Sequence, residues 1–248
     1  MISAVVITKN EKKTISLCLG NLKFCSEIIV VDDYSTDKTV SIAKKFTRKV
    51  YKRKLNNDFS KQRNFGLSKT KNKWVLFIDS DEIVDKKLAR EIKDAVKKEE
   101  FNGFYIKRTD YFLGKKLQWG EFLNKKFIRL GKKNKGKWQR AIHEHWDIKG
   151  KKGILDNSIS HYSHTSLSQL VRKSDYYSTI NASYLHANNE SVTIFEVFLY
   201  PSIKFIHNYI LKLGFLDGFY GIIFTIFMSY QSFLSRLKLY LLVKHNDQ

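Results

Sequence analysis

Three carboxylates crowd into four positions of this chain: Asp79, Ser80, Asp81 and Glu82 follow the apolar run "WVLFI" at residues 74–78. That run is β-branched and aromatic, the composition of a strand buried on both faces. Like charges so close repel, and desolvating them is costly unless something cationic compensates. A D-x-D at a strand end can place Asp79 and Asp81 around one hard cation such as Mn2+ or Mg2+, and Mg2+ usually shares its shell with substrate phosphates. On this reading the missing charge arrives with the ligand. The competing reading is that these acids cap a helix at residues 86–98.

A second acidic strand end strengthens the ligand reading. "VVDDYSTDKT" (30–39) places Asp32 and Asp33 after another apolar strand, where a carboxylate can accept from a base imide or a ribose hydroxyl. "KQRNFGLSK" (61–69) adds Gln62, Arg63 and Asn64, with Arg63 suited to a pyrophosphate or a base carbonyl. His161 ends "SISHY" and can complete a metal shell or simply be hydrogen-bonded. "HEHW" (143–146) lacks the spacing of a helix-borne zinc pair. If extended, it puts His143 and His145 on one face and Glu144 on the other. Arg172 and Lys173 are candidates for the pyrophosphate or for plain surface. Trp119, Phe122, Trp138 and Trp146 can stack on sugar faces or pack in a core.

These residues need elements to hold them. Strand patterns at 2–8, 27–32, 48–53 and 74–79 alternate with helix patterns near 15–22, 38–46 (Asp37 as cap), 60–68 (Ser60 as cap) and 86–98. Such alternation predicts an α/β fold, a mostly parallel sheet flanked by helices, with ligands at the carboxyl ends of the strands. Both acid pairs lie at such ends. Residues 101–165 switch to short strands among basic, glycine-containing loops, read as an acceptor-holding half of one domain spanning 1–165. Residues 166–248 read as helical, with a pause near 188–190.

The chain has 248 residues, 43% hydrophobic and 28% charged, which excludes a disordered chain. Its two cysteines, Cys18 and Cys25, match no zinc or redox spacing and suit a reducing compartment, and the strand-like opening "ISAVVIT" is unlike a signal peptide. A cytoplasmic location is expected. The net charge of +21 is uneven: residues 1–165 hold 38 Lys/Arg against 19 Asp/Glu, and residues 166–248 hold 7 against 5. A solvated lysine-rich surface, or one meeting anionic lipid, explains this excess. No nucleic-acid-binding motif accompanies it, so no nucleic-acid partner is expected.

Residues 218–235 contain no charge, approaching the length of a membrane span, yet they carry Gly, Thr, Ser, Gln and Tyr. Residues 194–213 are amphipathic, and Arg236, Lys238 and Lys244 follow the uncharged run. An interfacial helix pair with its basic residues at lipid headgroups is the expectation; a true span and helices packed on the catalytic domain are the alternatives.

"ISAVVITKNE", "EIIVVDDYSTDKTVSIAKK", "KQRNFGLSK" and "KWVLFIDSDE", in that order, resemble a family 2 glycosyltransferase of the GT-A (Rossmann-like) fold. Downstream, "RLGKKNKGKW", "IHEHW", "HYSHTSLSQLVRK" and "LKLGFLDGFYG" are similar to bacterial lipopolysaccharide-core β-glucosyltransferases of the WaaE/KdtX type. That group shows one aspartate then Ser-Gly after the second strand; here Asp32, Asp33 and Tyr34 stand there, which leaves open which aspartate meets the base. The resemblance implies a UDP-sugar donor and an inverting transfer. Thr8, Asn10, Glu11, Gln62, Arg63, Asn64, Asp79 and Ser80, with Asp32 or Asp33, would line the nucleotide sugar. Asp81, with Asp79 and His161, would hold Mn2+ or Mg2+, a Lewis acid for the leaving diphosphate. It singles out His143 and Glu144, with Glu144 as the general base. The implied acceptor is a lipid-linked saccharide such as lipopolysaccharide inner core, at an anionic membrane surface on the cytoplasmic face of the inner membrane. Polyprenyl phosphate or a peptide is the alternative acceptor. A nucleotidyltransferase would normally carry a glycine-rich phosphate loop after the first strand, and "TKNEKKT" has no glycine. A basic membrane- or nucleic-acid-binding module is the non-enzymatic alternative.

Overall fold

A computed structural model describes residues 1–141, 144–164 and 167–246. The chain divides into two compact units, Met1–Thr109 with Asn124–His161, and Asp110–Leu123 with Tyr162–Gln248. The stretch 110–123 thus belongs with the C-terminal helices rather than with a continuous 1–165 domain.

Strands and helices alternate through the first hundred residues: β1 (Ile2–Thr8), α1 (Ile15–Asn21), β2 (Glu27–Asp32), α2 (Thr39–Ala43), β3 (Val50–Lys52), α3 (Phe59–Lys69), β4 (Trp74–Asp79), β5 (Glu82–Ile83) and α4 (Lys86–Ala95). Strands dominate the next stretch: β6 (Gly103–Phe112), β7 (Lys115–Leu117), β8 (Lys126–Lys132), β9 (Gly136–Gln139), β10 (His145–Ile148) and β11 (Lys152–His164). The sheet order is β3-β2-β1-β4-β8-β6-β11-β5. β3, β2, β1 and β4 run parallel, whereas β8 pairs antiparallel with β4 and β6, and β11 with β5. The sheet is therefore mixed: parallel in the N-terminal half and antiparallel beyond it. β9 and β10 form a separate hairpin. These two and β5 are too short and polar to stand out by periodicity.

The central strands are apolar throughout because both faces are covered. Ala4, Val6, Val30, Leu76 and Ile78 face Ile15, Leu19, Leu88 and Ile92. Val5, Ile29, Val31, Val75 and Phe77 point the other way, toward Leu67, Trp138, Trp146 and Ile148. Burying each such side chain contributes about 1.5–3 kcal/mol. Phe77 meets Trp138 and Trp146 edge-on at 5.0 Å, so these two tryptophans are core rather than a sugar platform. α3 lies close on β1: a Cβ on Gly66 would fall 2.5 Å from Val5 Cγ1.

Two helix starts differ from the sequence reading. Asp58, not Ser60, caps α3 by accepting from Lys61 N at 2.8 Å. Asp37 accepts from Thr39 N at 2.9 Å, but α2 begins at Thr39 with Lys38, not Asp37, in the cap position and no side-chain cap bond. Asp85 caps α4, so that helix is not capped by the D-S-D acids.

The second unit holds α5 (Leu167–Ala187), α6 (Ile194–Ile206), a wider helical turn His207–Leu211, a short turn Gly214–Asp217 and α7 (Gly218–Asn246). Phe112, Leu117, Phe122, Leu170 and Phe224 form its core, which places Phe122 in packing. Asp217 accepts from Gln118 N and Trp119 N, tying 110–123 to the helices. No single helix among the described residues is long and apolar enough to cross a membrane; the segments Ile194–Leu211 and Gly214–Lys244 pass together but are bent by 72°. The expected headgroup cations differ: Arg236 lies 4.0 Å over the Tyr200 ring, and Lys238 donates to Asp175, Ser178 and Thr179. Both are spent inside the helical unit.

Candidate active site

The strand ends gather the two acid pairs as their sequence positions require, but the countercharge is largely resident. Asp79 Oδ1 accepts from Arg63 Nη2 at 2.9 Å, and Oδ2 accepts from Arg129 Nη2 at 2.7 Å. Arg63 comes from α3, clamped by its neighbours. Asn64 exchanges two bonds with the Trp138 backbone, at 2.9 and 3.0 Å, and Gln62 holds Arg53 through both its amide atoms. Gln62 and Asn64 therefore fix the helix and the β9 hairpin, and Arg63 alone of the three meets the carboxylates. Its guanidinium sits 4.6 Å from the Trp138 ring centre. Its Nε donates to Glu144 Oε1 at 2.9 Å, and its buried Nη1 has no hydrogen-bond partner among the described residues.

Glu82 is fully buried rather than a loose member of the cluster. Its Oε2 accepts from Asp79 N at 2.9 Å, while Oε1 lies 3.4 Å from Arg129 and 3.9 Å from Arg108. Burial pushes both carboxyls up. For Asp79, Arg129 and Arg63 outweigh it and hold the group well below the usual range. For Glu82 burial, reinforced by the Asp79 charge, outweighs Arg129 and leaves the group raised. Arg129 stays charged: its burial is outweighed by Asp79 and Glu82. The Cys18 thiol, raised by burial and by these acids, lies 3.5 Å from the Asp79 carbonyl and is not a nucleophile.

Asp81 faces His161, with Oδ2 3.5 Å from Nε2. β11 brings the histidine there by pairing His161 with Glu82 in register. No group of three His, Cys, Asp or Glu among the described residues can hold a metal. Asp81 and His161 supply one carboxylate and one imidazole, a partial shell of the kind substrate phosphates complete. Asp79 has one oxygen on each of two guanidiniums, so its charge is already balanced by protein.

Around the first strand end, Thr8 keeps a buried hydroxyl without a partner among the described residues. Asn10 and Glu11 stitch the β1 loop to the β2 loop: Asn10 N donates to Ser35 Oγ at 2.8 Å, Thr36 N to Asn10 Oδ1 at 2.8 Å, and Glu11 N to Thr39 Oγ1 at 2.8 Å. Asp32 accepts from Ser35 N and Oγ. Asp33 accepts from Lys9 Nζ at 2.7 Å and Leu55 N at 2.9 Å. Ser80 is buried between the two site aspartates. Tyr34 follows Asp33 with φ +48° and an exposed ring. His143 lies outside the described residues; His145 is exposed on β10. Trp119 lies in the second unit.

Arg129, Arg108 and the burial of Glu82 were not anticipated from sequence. Arg129 sits in "KKFIRLGKK", where composition suggests one more surface cation. The signal was present in its apolar neighbours, since a charge inside a buried strand requires a carboxylate partner.

Residues 3–154 match the model of the glycosyl transferase family 2 domain. An uncharacterized glycosyltransferase of Rickettsia typhi is 31% identical over 253 residues, covering 96% of this chain and 86% of the relative. The lipopolysaccharide core biosynthesis glycosyltransferase LpsC of Rhizobium meliloti is 24% identical, covering 96% and 92%. Among solved structures, Staphylococcus aureus TarS 1–349 in complex with UDP-GlcNAc has the same fold at TM-score 0.50 and 16% identity, covering 96% and 91%. With its parallel strand ends, paired acids and family-wide match, this chain belongs to glycosyl transferase family 2, on the GT-A fold.

Proposed function

We propose that the chain is an inverting, metal-dependent transferase that moves a hexose from a UDP-sugar to a lipid-linked saccharide such as the lipopolysaccharide inner core. The observation that carries this reading is Arg63, which joins the donor-side Asp79 to Glu144 within one buried guanidinium. The acceptor class rests on the likeness to LpsC. Work at the cytoplasmic face fits two buried, unpaired thiols.

In this scheme Asp81 and His161 would hold Mn2+ or Mg2+, which would supply a Lewis acid that offsets charge on the departing diphosphate. Thr8 offers its unpartnered hydroxyl to the nucleotide, alongside Asp32 or Asp33. Arg63 keeps Asp79 ionised and fixes the orientation of Glu144. Glu144 Oε1 is held by Arg63, and Oε2, without a hydrogen-bond partner among the described residues, takes the proton of the acceptor hydroxyl. The acceptor oxygen then bonds to the anomeric carbon as the bond to UDP breaks.

Thermal-shift measurements with UDP-sugars, with and without Mn2+, test this. A ligand at a hundred times its Kd stabilises by about 2.7 kcal/mol. The expected result is a UDP-sugar shift that needs metal and disappears in Asp81→Ala. No shift with any nucleotide sugar, or an equal shift in Asp81→Ala, overturns the reading.

A further inference from the structure

The second unit exposes an apolar surface that its own packing leaves bare. Along Ile194–Leu211, buried Val197 and Asn208 mark the inward face. Phe195 and Ile206, eleven residues apart, share the opposite face. Phe195 is 68% exposed. The chain then turns at Leu213, which takes φ +58°, and re-enters helix at Gly218 with the two segments bent by 72°. The corner is apolar on its outside: Leu211 is 70% exposed, Leu216 52% and Phe219 72%. Single exposed apolar residues are ordinary, but a continuous row along a helix and around a corner marks a contact surface.

Charge around the corner selects the occupant. Trp119 N donates to Asp217 and Gly120 N donates to the Lys212 carbonyl at 2.9 Å, so the β7 turn is fastened beside the bend. Lys115 and Lys116 are exposed on β7, and Lys212 sits in the bend itself. A two-fold pairing of this face would tend to set those lysines against their own copies, which is unfavourable. Anionic headgroups complement them, while the apolar corner enters the acyl layer and the half-buried Trp119 suits the boundary.

We propose that residues 211–219 form a monotopic insertion element that seats the enzyme on an anionic lipid surface, with Lys115, Lys116 and Lys212 at the headgroups. This deepens the lipid-linked acceptor reading and rests on it for its purpose, though not for its physics. Flotation of the full chain with vesicles of phosphatidylcholine, alone or mixed with phosphatidylglycerol, tests it. The wild type is expected to float with the mixed vesicles. The double variant Leu216→Asp, Phe219→Asp should stay behind while keeping its circular dichroism and its UDP-sugar thermal shift. Replacing Lys115 or Lys116 by Gln should weaken binding to mixed vesicles roughly five-fold each. A wild type that floats with neither vesicle, or a double variant that floats equally well, overturns the proposal. So does a lipid-free dimer that the double variant dissociates while vesicle binding persists. Vesicle binding without any donor shift would retain the membrane face and remove the donor reading; a donor shift without vesicle binding would do the reverse.

Discussion

Arg63 Nε donates to Glu144 Oε1 at 2.9 Å across 81 residues of chain. The same guanidinium reaches Asp79, so one side chain sets the spacing between the proposed base and the acid at the end of β4. Glu144→Gln is expected to lower kcat by about 10²–10⁴-fold while leaving the UDP-sugar thermal shift in place. Arg63→Lys should lose both, because an ammonium lacks the fork that serves two carboxylates. Steady-state kinetics beside thermal shift separates the two outcomes; retained turnover in Glu144→Gln removes that residue from the base role.

Arg129 neutralises the buried Glu82 and the half-buried Asp79 at once, so its removal should be felt in stability first. Arg129→Met leaves Asp79 and Glu82 short of a partner, and breaking such a buried pair costs about 3–5 kcal/mol. Urea denaturation reads the loss directly.

The same pair predicts a pH signature. Asp79 is held below its ordinary 3.8, so its stabilisation is full above that value and is lost as pH falls through the lower folded value. Glu82 is raised above its ordinary 4.5, so it works the other way: its burial penalty is present above the raised value and fades as it takes a proton. Stability should rise as pH drops from neutrality through the raised Glu82 value, then fall in stronger acid. Glu82→Gln should abolish the rise and keep the fall. Denaturation midpoints across pH, compared between the two proteins, decide it.

The parallel core was legible because β1, β2 and β4 are continuous apolar runs, and a strand covered on both faces leaves no other pattern. The acid pairs were legible for the same reason: they end those runs. What sequence could not give was the partner of each charge. Arg129 meets Asp79 because β8 pairs beside β4, and His161 meets Asp81 because β11 pairs with β5, registers fixed by long-range packing. The expectation that compensating charge comes only with the ligand therefore changes. Arg63, Arg108 and Arg129 already face Asp79, Glu82 and Glu144, and His161 faces Asp81.

Gly66 links the fold to this chemistry. A methyl there would press on Val5 and lift α3, which carries Arg63, away from β1. Gly66→Ala should cost about 1–3 kcal/mol and lower activity by displacing the guanidinium. Gly20→Ala is the control: its nearest neighbour, Phe46, is 3.8 Å away, so the change should be tolerated without loss of activity. Equal behaviour of the two variants in denaturation and kinetics would refute the packing argument.

Tyr34 holds a left-handed backbone, φ +48°, between Asp33 and Ser35, a conformation that a bulky side chain adopts at a cost of about 1–2 kcal/mol. The turn that enforces it is built by Asp32 accepting from Ser35, and it lies at the strand end assigned to the nucleotide. Tyr34→Gly should relieve the strain and raise stability by about 1 kcal/mol. The ring is exposed beside Asp32 and Asp33, so the same variant is also expected to bind UDP-sugar more weakly. Isothermal titration and denaturation on one preparation measure both effects. A stabilised variant with unchanged donor affinity would assign the tyrosine to neither recognition nor folding, and a destabilised one would show that the ring packs against the turn.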